Sequence, residues 1–132
     1  LLHWLYDEER VALPPELVYW NKTTQRLSLR HPKSGRIADF SYDAFPIFWR
    51  VAQDVRWFGR AEGPLRQAML AFFEREWKAQ GRFLDRYQMD GTPRSSLEAL
   101  PLYATVQALA LETDPDLARR IRERKLTALQ RQ

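Results

Sequence analysis

The segment Asp39-Phe40-Ser41-Tyr42-Asp43-Ala44-Phe45-Pro46-Ile47-Phe48-Trp49-Arg50 gathers carboxylates, aromatic rings and a cation in one short stretch. Proline is tolerated in a helix only within the first turn, where its missing amide hydrogen would have no partner anyway, so Pro46 requires a helix that begins close to Asp43. A carboxylate at that place lies near the positive end of the helix dipole and near unpaired amide hydrogens, which favour its ionised form. An ionised carboxylate suits a general base that takes a proton from water. The bland reading stands beside this one. An Asp at a helix start is more often a cap than a catalyst. Tyr42 and Trp49 are core residues by default, and Arg50 is by default a surface or loop-bracing cation. Position alone does not separate the two, and neither Asp39 nor Asp54 has better credentials.

Other chemistries are excluded by residue type. The chain has no Cys, so thiolate metal sites, cysteine nucleophiles and disulfides are absent. Its two His, His3 and His31, offer no metal-ligand spacing, and no motif calls for a metal or an organic cofactor. No apolar run is long enough to span a membrane, and no signal segment opens the chain. The absence of an initiator Met suggests a fragment or a processed product.

The elements that must position Asp43 can be read from hydrophobic spacing and from proline and glycine. Leu1 to Arg10 reads as the tail of an amphipathic helix ended by Pro14 and Pro15. Leu17 to Phe40 has no helical period and reads as an ordered loop with a short hairpin. From Tyr42 to Phe58 the residues Phe45, Phe48, Trp49, Ala52 and Val55 form a helix face. A second helix starts near Pro64, carries Leu65, Ala68, Met69, Phe72, Phe73 and Trp77 on one face, and stops at Gly81. After the turn Gln88 to Pro93, Ser95 or Ser96 is expected to cap a third helix with Glu98 in its first turn. Between Leu97 and Leu111 this helix has almost no polar stripe, which predicts an inner helix covered on all sides. Thr113, Asp114 and Pro115 open a fourth, outer helix with Leu117, Ile121 and Leu129 on one face. Inner helices alternating with amphipathic outer ones describe an all-α toroid or a helical repeat.

The 132 residues are about one domain's worth and can bury a real core. Five Trp, five Tyr and seven Phe are a surplus that serves either core packing or stacking on sugar faces. The formal charge of +4 raises the possibility of an acidic partner. However, Arg119, Arg120, Arg122, Arg124, Lys125 and Arg131 crowd the last helix, where a solvated C-terminal turn accounts for most of the excess.

Resemblance adds what spacing leaves open. Tyr42-Asp43-Ala44 followed by Trp49-Arg50 resembles the Tyr-Asp-Ala-x-Arg-x-x-Trp-Arg signature of glycoside hydrolase family 8, the endoglucanases, chitosanases and related enzymes. Upstream, Leu13-Pro14-Pro15-Glu16-Leu17-Val18 resembles the Leu-Pro-Pro-Asp-Trp segment of members associated with bacterial cellulose synthesis. Downstream, Asp90-Gly91-Thr92-Pro93 and the apolar helix after it resemble that family's last helical hairpin. The likeness runs from Leu13 to about Ala118. It implies an all-α fold, the last third of an (α/α)6 barrel, with residues 1–132 forming the C-terminal fragment of a single catalytic domain. It also implies inverting hydrolysis of a β-1,4-linked polysaccharide such as cellulose, with Asp43 as the general base and Tyr42, Trp49 and Arg50 contacting substrate.

The implied partners are a β-glucan and the missing N-terminal part of the same barrel, not nucleic acid. The implied location is secreted or periplasmic. Two departures stand out. The family's Ser-Glu-Gly segment, which carries the general acid, and its Trp-Ala-x-Gly-Asp segment do not occur in this sequence. Within the signature, Pro46 stands where the family has Arg, and Phe48 where it has the Pro before Trp. A cation beside a base carboxylate fixes its orientation and charge, and proline can do neither. A non-enzymatic helical adaptor and a degenerate glycan-binding relic are the competing readings.

Overall fold

The computed structural model of the chain describes residues 1–59 and 63–127. The chain opens with a wide helical turn, Trp4–Glu8, then forms an antiparallel hairpin from β1 (Tyr19–Asn21) and β2 (Arg26–Ser28), in which Tyr19 pairs with Ser28 and Asn21 with Arg26. The hairpin turn is closed by Asn21, whose side-chain oxygen accepts from the amides of Thr23 and Thr24 at 2.9 and 3.1 Å. A single 3-10 turn, Tyr42–Ala44, leads into α1 (Pro46–Phe58). Helices α2 (Gly63–Gln80), α3 (Leu100–Thr113) and α4 (Pro115–Ile121) follow, and a further helical turn, Arg122–Leu126, continues α4.

Local chemistry sets most of these limits. Pro46 is the first residue of α1, where its ring costs no hydrogen bond. Gly59 ends α1 in the left-handed conformation at φ 63°, and its amide bonds back into the last turn. Asp114 caps α4 by accepting from the Leu117 amide at 3.2 Å. Three sequence expectations are corrected. The first helical segment ends at Glu9 and Arg10, the latter at φ 53°, several residues before Pro14 and Pro15. Neither Ser95 nor Ser96 caps α3, which begins at Leu100 after Ala99. The Ser95 hydroxyl is engaged with Asp85 instead. Glu98 lies outside the helix, where it accepts from the Tyr103 hydroxyl and pairs with Lys125 at 2.7 Å. Leu129 and Arg131, expected on the last helix, fall outside the described residues.

The core lies between α1, α2, α3 and the loop 83–97. Its centre is aromatic: Phe40, Phe45, Phe48, Phe73, Phe83 and Tyr87 are fully buried. Phe73 meets Phe48 edge-on at 5.3 Å and Phe83 at 4.8 Å, geometries that favour ring pairs. Much of the aromatic surplus is therefore packing. Helix α3 touches α1, α2 and α4 and is the central helix. It is not covered on all sides, because Leu100, Ala104 and Leu111 form an apolar stripe open to solvent.

The backbone also shows how α1 and α3 run. The amide of Asp85 donates to the Leu97 carbonyl just ahead of α3, while the Asp85 carbonyl accepts from Ser41 just ahead of α1. The N-terminal ends of α1 and α3 thus lie beside one loop, and the two helices run the same way and pack directly against each other, with α2 returning against α3. The basic residues of the last helix are largely paired. Arg119 and Arg120 bond Asp116, Arg119 also meets Glu123, Lys125 meets Glu98, and Arg124 lies over the Trp77 ring at 6.0 Å.

Candidate functional site

The shared N-terminal end of α1 and α3 holds the residues singled out from the sequence. Asp43 sits in the 3-10 turn ahead of α1, exposed to solvent. No side-chain cap bond is made at this turn or at the start of α1, so capping does not account for Asp43. Among the described residues its carboxylate takes no hydrogen bond or ion pair, which leaves both oxygens open to a ligand or a water. Its backbone amide donates to Glu16 Oε1 at 3.3 Å. That contact places a second carboxylate beside the same turn.

Tyr42 is half exposed, at 52%. Its ring leans on buried Phe45 at 5.0 Å, and its hydroxyl donates to Asp85 Oδ2 at 3.3 Å. Asp85 also takes the Ser95 hydroxyl on Oδ1, while the Ser41 hydroxyl donates to its carbonyl at 3.2 Å. Two residues before Ser41, Asp39 pairs with Arg94 Nε at 3.5 Å. The backbones of Phe40 and Tyr87 exchange two hydrogen bonds, at 2.8 and 3.0 Å, and lock the two loops together.

Trp49 and Arg50 lie further along α1. Trp49 is 48% exposed. Arg50 lines a mostly apolar groove of about 510 Å³ together with Glu16, Ile47, Asp54 and Trp57. Among the described residues neither side chain makes a hydrogen bond or ring contact with Tyr42 or Asp43. The structure therefore brings Tyr42 and Asp43 together with Asp85 and Glu16, and leaves Trp49 and Arg50 on outer faces of the helix. Pro46 is exposed at the position where the family signature carries Arg.

A larger cleft of about 610 Å³ lies between the loops 9–11, 29–39 and 88–94, and Asp39 and Arg94 are on its wall. Its other charged groups are mixed in sign: Glu9, Asp90, Arg10, Arg30 and Arg36. No cluster of His, Cys, Asp and Glu among the described residues could hold a metal ion. No described helix is long and apolar enough to cross a membrane.

Asp85 is the residue that sequence reasoning missed. It follows Phe83-Leu84 in an irregular loop, with no periodicity or motif to mark it, and its partners Tyr42 and Ser95 are remote or unremarkable in the chain. Glu16 was visible only as part of the Leu-Pro-Pro segment, without a role.

Parallel α1 and α3 that share an N-terminal end, each followed by an antiparallel helix outside it, make up part of an (α/α)6 barrel. Comparison with solved structures gives that barrel its kind. Over 93% of the chain and 34% of the other, the fold matches a β-1,3-1,4-glucanase from Paenibacillus sp. X4, with a TM-score of 0.71 and 17% identity. Two glycoside hydrolase family 8 structures from Teredinibacter turnerae, a xylobiose complex and a xylohexaose complex of a xylanase catalytic mutant, match 79% of the chain and 29% of their own. Their TM-scores are 0.57, and their identities are 24% and 23% respectively. The fold is that of a fragment of a family 8 barrel, and the chain spans about a third of the length of these structures. No family model matches the sequence, and no curated relative does.

Proposed function

We propose that residues 1–132 form the C-terminal part of a single glycoside hydrolase catalytic domain. In the complete parent protein that domain hydrolyses β-1,4-glycosidic bonds of a polysaccharide such as cellulose with inversion. The observation that carries this reading is the Asp43 carboxylate: exposed, uncapped and unpaired at the N-terminal end of an inner barrel helix. The neighbouring structures act in the same chemical field, one being a glucanase and another a xylanase.

In an inverting hydrolase one carboxylic acid protonates the leaving oxygen, while a second carboxylate, roughly 6.5–9.5 Å away, activates water from the opposite face of the sugar. Asp43 is the activating carboxylate. Its open oxygens can accept a proton from a water held beside the sugar. The Tyr42 hydroxyl beside it binds the sugar or the water, while substrate contact by Trp49 and Arg50, which lie further along α1, is supported by the family signature alone. The acid comes from the part of the barrel that precedes this chain, so the chain alone does not cleave glycans.

The same reading accounts for the surface. The open stripe of Leu100, Ala104 and Leu111 on α3 and the exposed Trp57 on α1 are faces that a complete barrel covers with its remaining helices. A polysaccharide substrate suits a secreted or periplasmic enzyme. The local pairing of the basic residues on the last helix removes the main support for a nucleic-acid adaptor.

The test is reducing-sugar release from carboxymethyl cellulose by the complete parent protein, wild type beside Asp43→Asn. Activity that is lost in the variant supports the hydrolase reading and the role of Asp43. Absence of cleavage by the wild type on this and related β-glucans overturns it.

A further inference from the structure

We infer that Asp85 is a positioning residue for the site, holding the Tyr42 hydroxyl, and through it the Tyr42-Asp43 turn, in the orientation that substrate meets. This rests on the hydrolase reading for what the turn does, while the contact itself stands on the geometry. Asp85 ties the entrances of both inner helices. Its carbonyl takes the Ser41 hydroxyl ahead of α1 at 3.2 Å, and its amide donates to the Leu97 carbonyl ahead of α3 at 2.8 Å. Its two carboxylate oxygens are divided between Tyr42 on one and Ser95 on the other.

A half-exposed tyrosine on a surface turn would otherwise sample several rotamers, and ordering it during substrate binding would cost affinity. The hydrogen bond to Asp85 restrains the ring beforehand on one side, and the contact with Phe45 holds the other. Ser95 fixes the Asp85 carboxylate in turn. Its hydroxyl accepts from the Leu97 amide at 3.1 Å, which ties the carboxylate to the start of α3. The Asp85 carboxylate is engaged by Tyr42 and Ser95, so its contribution to the site passes through Tyr42.

The experiment is a double-mutant cycle of Tyr42→Phe and Asp85→Ala, with Asp85→Asn as the conservative variant. It is read as kcat/KM of the complete parent protein on carboxymethyl cellulose and as the urea midpoint of the full chain. At 3.3 Å and open to solvent the Tyr42–Asp85 hydrogen bond is weaker than a short charge-assisted one, and its weight is equivalent to about fivefold in kcat/KM. Asp85→Ala is therefore expected to lose about fivefold, Tyr42→Phe at least as much because it also removes the hydroxyl that meets substrate, and the double variant no more than Tyr42→Phe alone, because the Asp85 contribution passes through that hydroxyl.

Asn keeps one oxygen for Tyr42 and offers its amide to the Ser95 oxygen, so Asp85→Asn is expected to recover most of the loss; a purely structural defect would not be recovered in this way. Losses that multiply in the double variant, or an Asn variant no better than Ala, overturn the inference and leave the hydrolase reading intact. If the wild-type parent cleaves no glucan, that reading fails. The urea cycle then decides the contact alone, with non-additive midpoint shifts supporting it and additive shifts overturning it.

Discussion

Gly91 joins the loop that carries Asp85 and Ser95 to the aromatic core. It stands at φ 94° in the turn Gln88 to Thr92, closed by the Gly91 amide on the Gln88 carbonyl at 2.9 Å and the Gln88 amide on the Thr92 carbonyl at 2.8 Å. A Cβ at this position would lie 2.6 Å from Cε2 and 3.0 Å from Cδ2 of Phe72. Carbon atoms in contact prefer about 3.5–4.0 Å, so an alanine intrudes by about 1 Å. Phe72 cannot easily retreat, because its ring is wedged edge-on against Tyr87 at 4.9 Å and Phe73 at 5.2 Å. Forcing extra volume into such packing costs about 1–3 kcal/mol, and the left-handed backbone adds about 1–2 kcal/mol for an L side chain.

Gly91→Ala should therefore destabilise the chain by about 2–5 kcal/mol. The assay is urea denaturation followed by tryptophan fluorescence, where a small protein with a slope of about 1–3 kcal/mol/M shows a midpoint lowered by about 1 M or more. Gly63→Ala is the control. Its Cβ meets only the Arg66 side chain, at 3.7 Å, on a helical residue. That variant should be neutral or slightly stabilising, by up to about 1 kcal/mol. A Gly91→Ala midpoint indistinguishable from wild type would refute the argument from close approach.

Tyr103→Phe removes the hydroxyl that accepts from the buried Phe83 amide at 2.9 Å, and should cost about 1–3 kcal/mol in the same assay by leaving that donor without a partner. Asp43→Asn, by contrast, should leave stability within about 0.5 kcal/mol of wild type, since the side chain caps nothing; a larger loss would show a structural role. Glu74 has its pKa raised above 4.5, first by burial and then by its hydrogen bond with Asp114. A raised carboxyl pKa means that the folded state holds the proton more tightly than the unfolded one. The contribution of Glu74 to stability is thus fullest below about pH 4.5 and is lost as pH rises through the folded value. Glu74→Gln should flatten that fall and raise the urea midpoint at neutral pH. Glu98 has the opposite sign, its pKa being lowered chiefly by Lys125 and then by the Tyr103 hydroxyl. Its contribution is present above the ordinary Glu range and is lost as pH falls through the lowered value, a loss that Lys125→Met should reduce but not remove in a pH series of urea midpoints, because the Tyr103 hydroxyl remains.

The sequence by itself determined the elements whose causes are local. Pro46 and Pro64 place helix starts, Gly81 and Gly59 suit helix ends, and Asp114 before Pro115 caps the last helix, because caps, ring constraints and left-handed glycines act within a turn of the residue concerned. Apolar spacing gave the face of α2 for the same reason and that of α1 in part, since Trp49, read as part of it, is exposed and Val51 is buried instead; the short signature around Asp43 pointed to a family 8 barrel. Only the tertiary structure decided which rings are core and which are open: nothing in the local pattern separates buried Phe45 and Phe48 from exposed Trp49 and Trp57 on one helix. It also decided that Ser95 serves Asp85 instead of capping α3, and that Glu98 faces Lys125, 27 residues away. Above all it decided the company of Asp43. Asp85 reaches Tyr42 across 43 residues, and Glu16 reaches the Asp43 amide across 27, because parallel packing of the inner helices draws separate loops to one end of the barrel. Hydrophobic burial sets that packing, and it specifies neighbours in space without leaving a periodic mark in the chain.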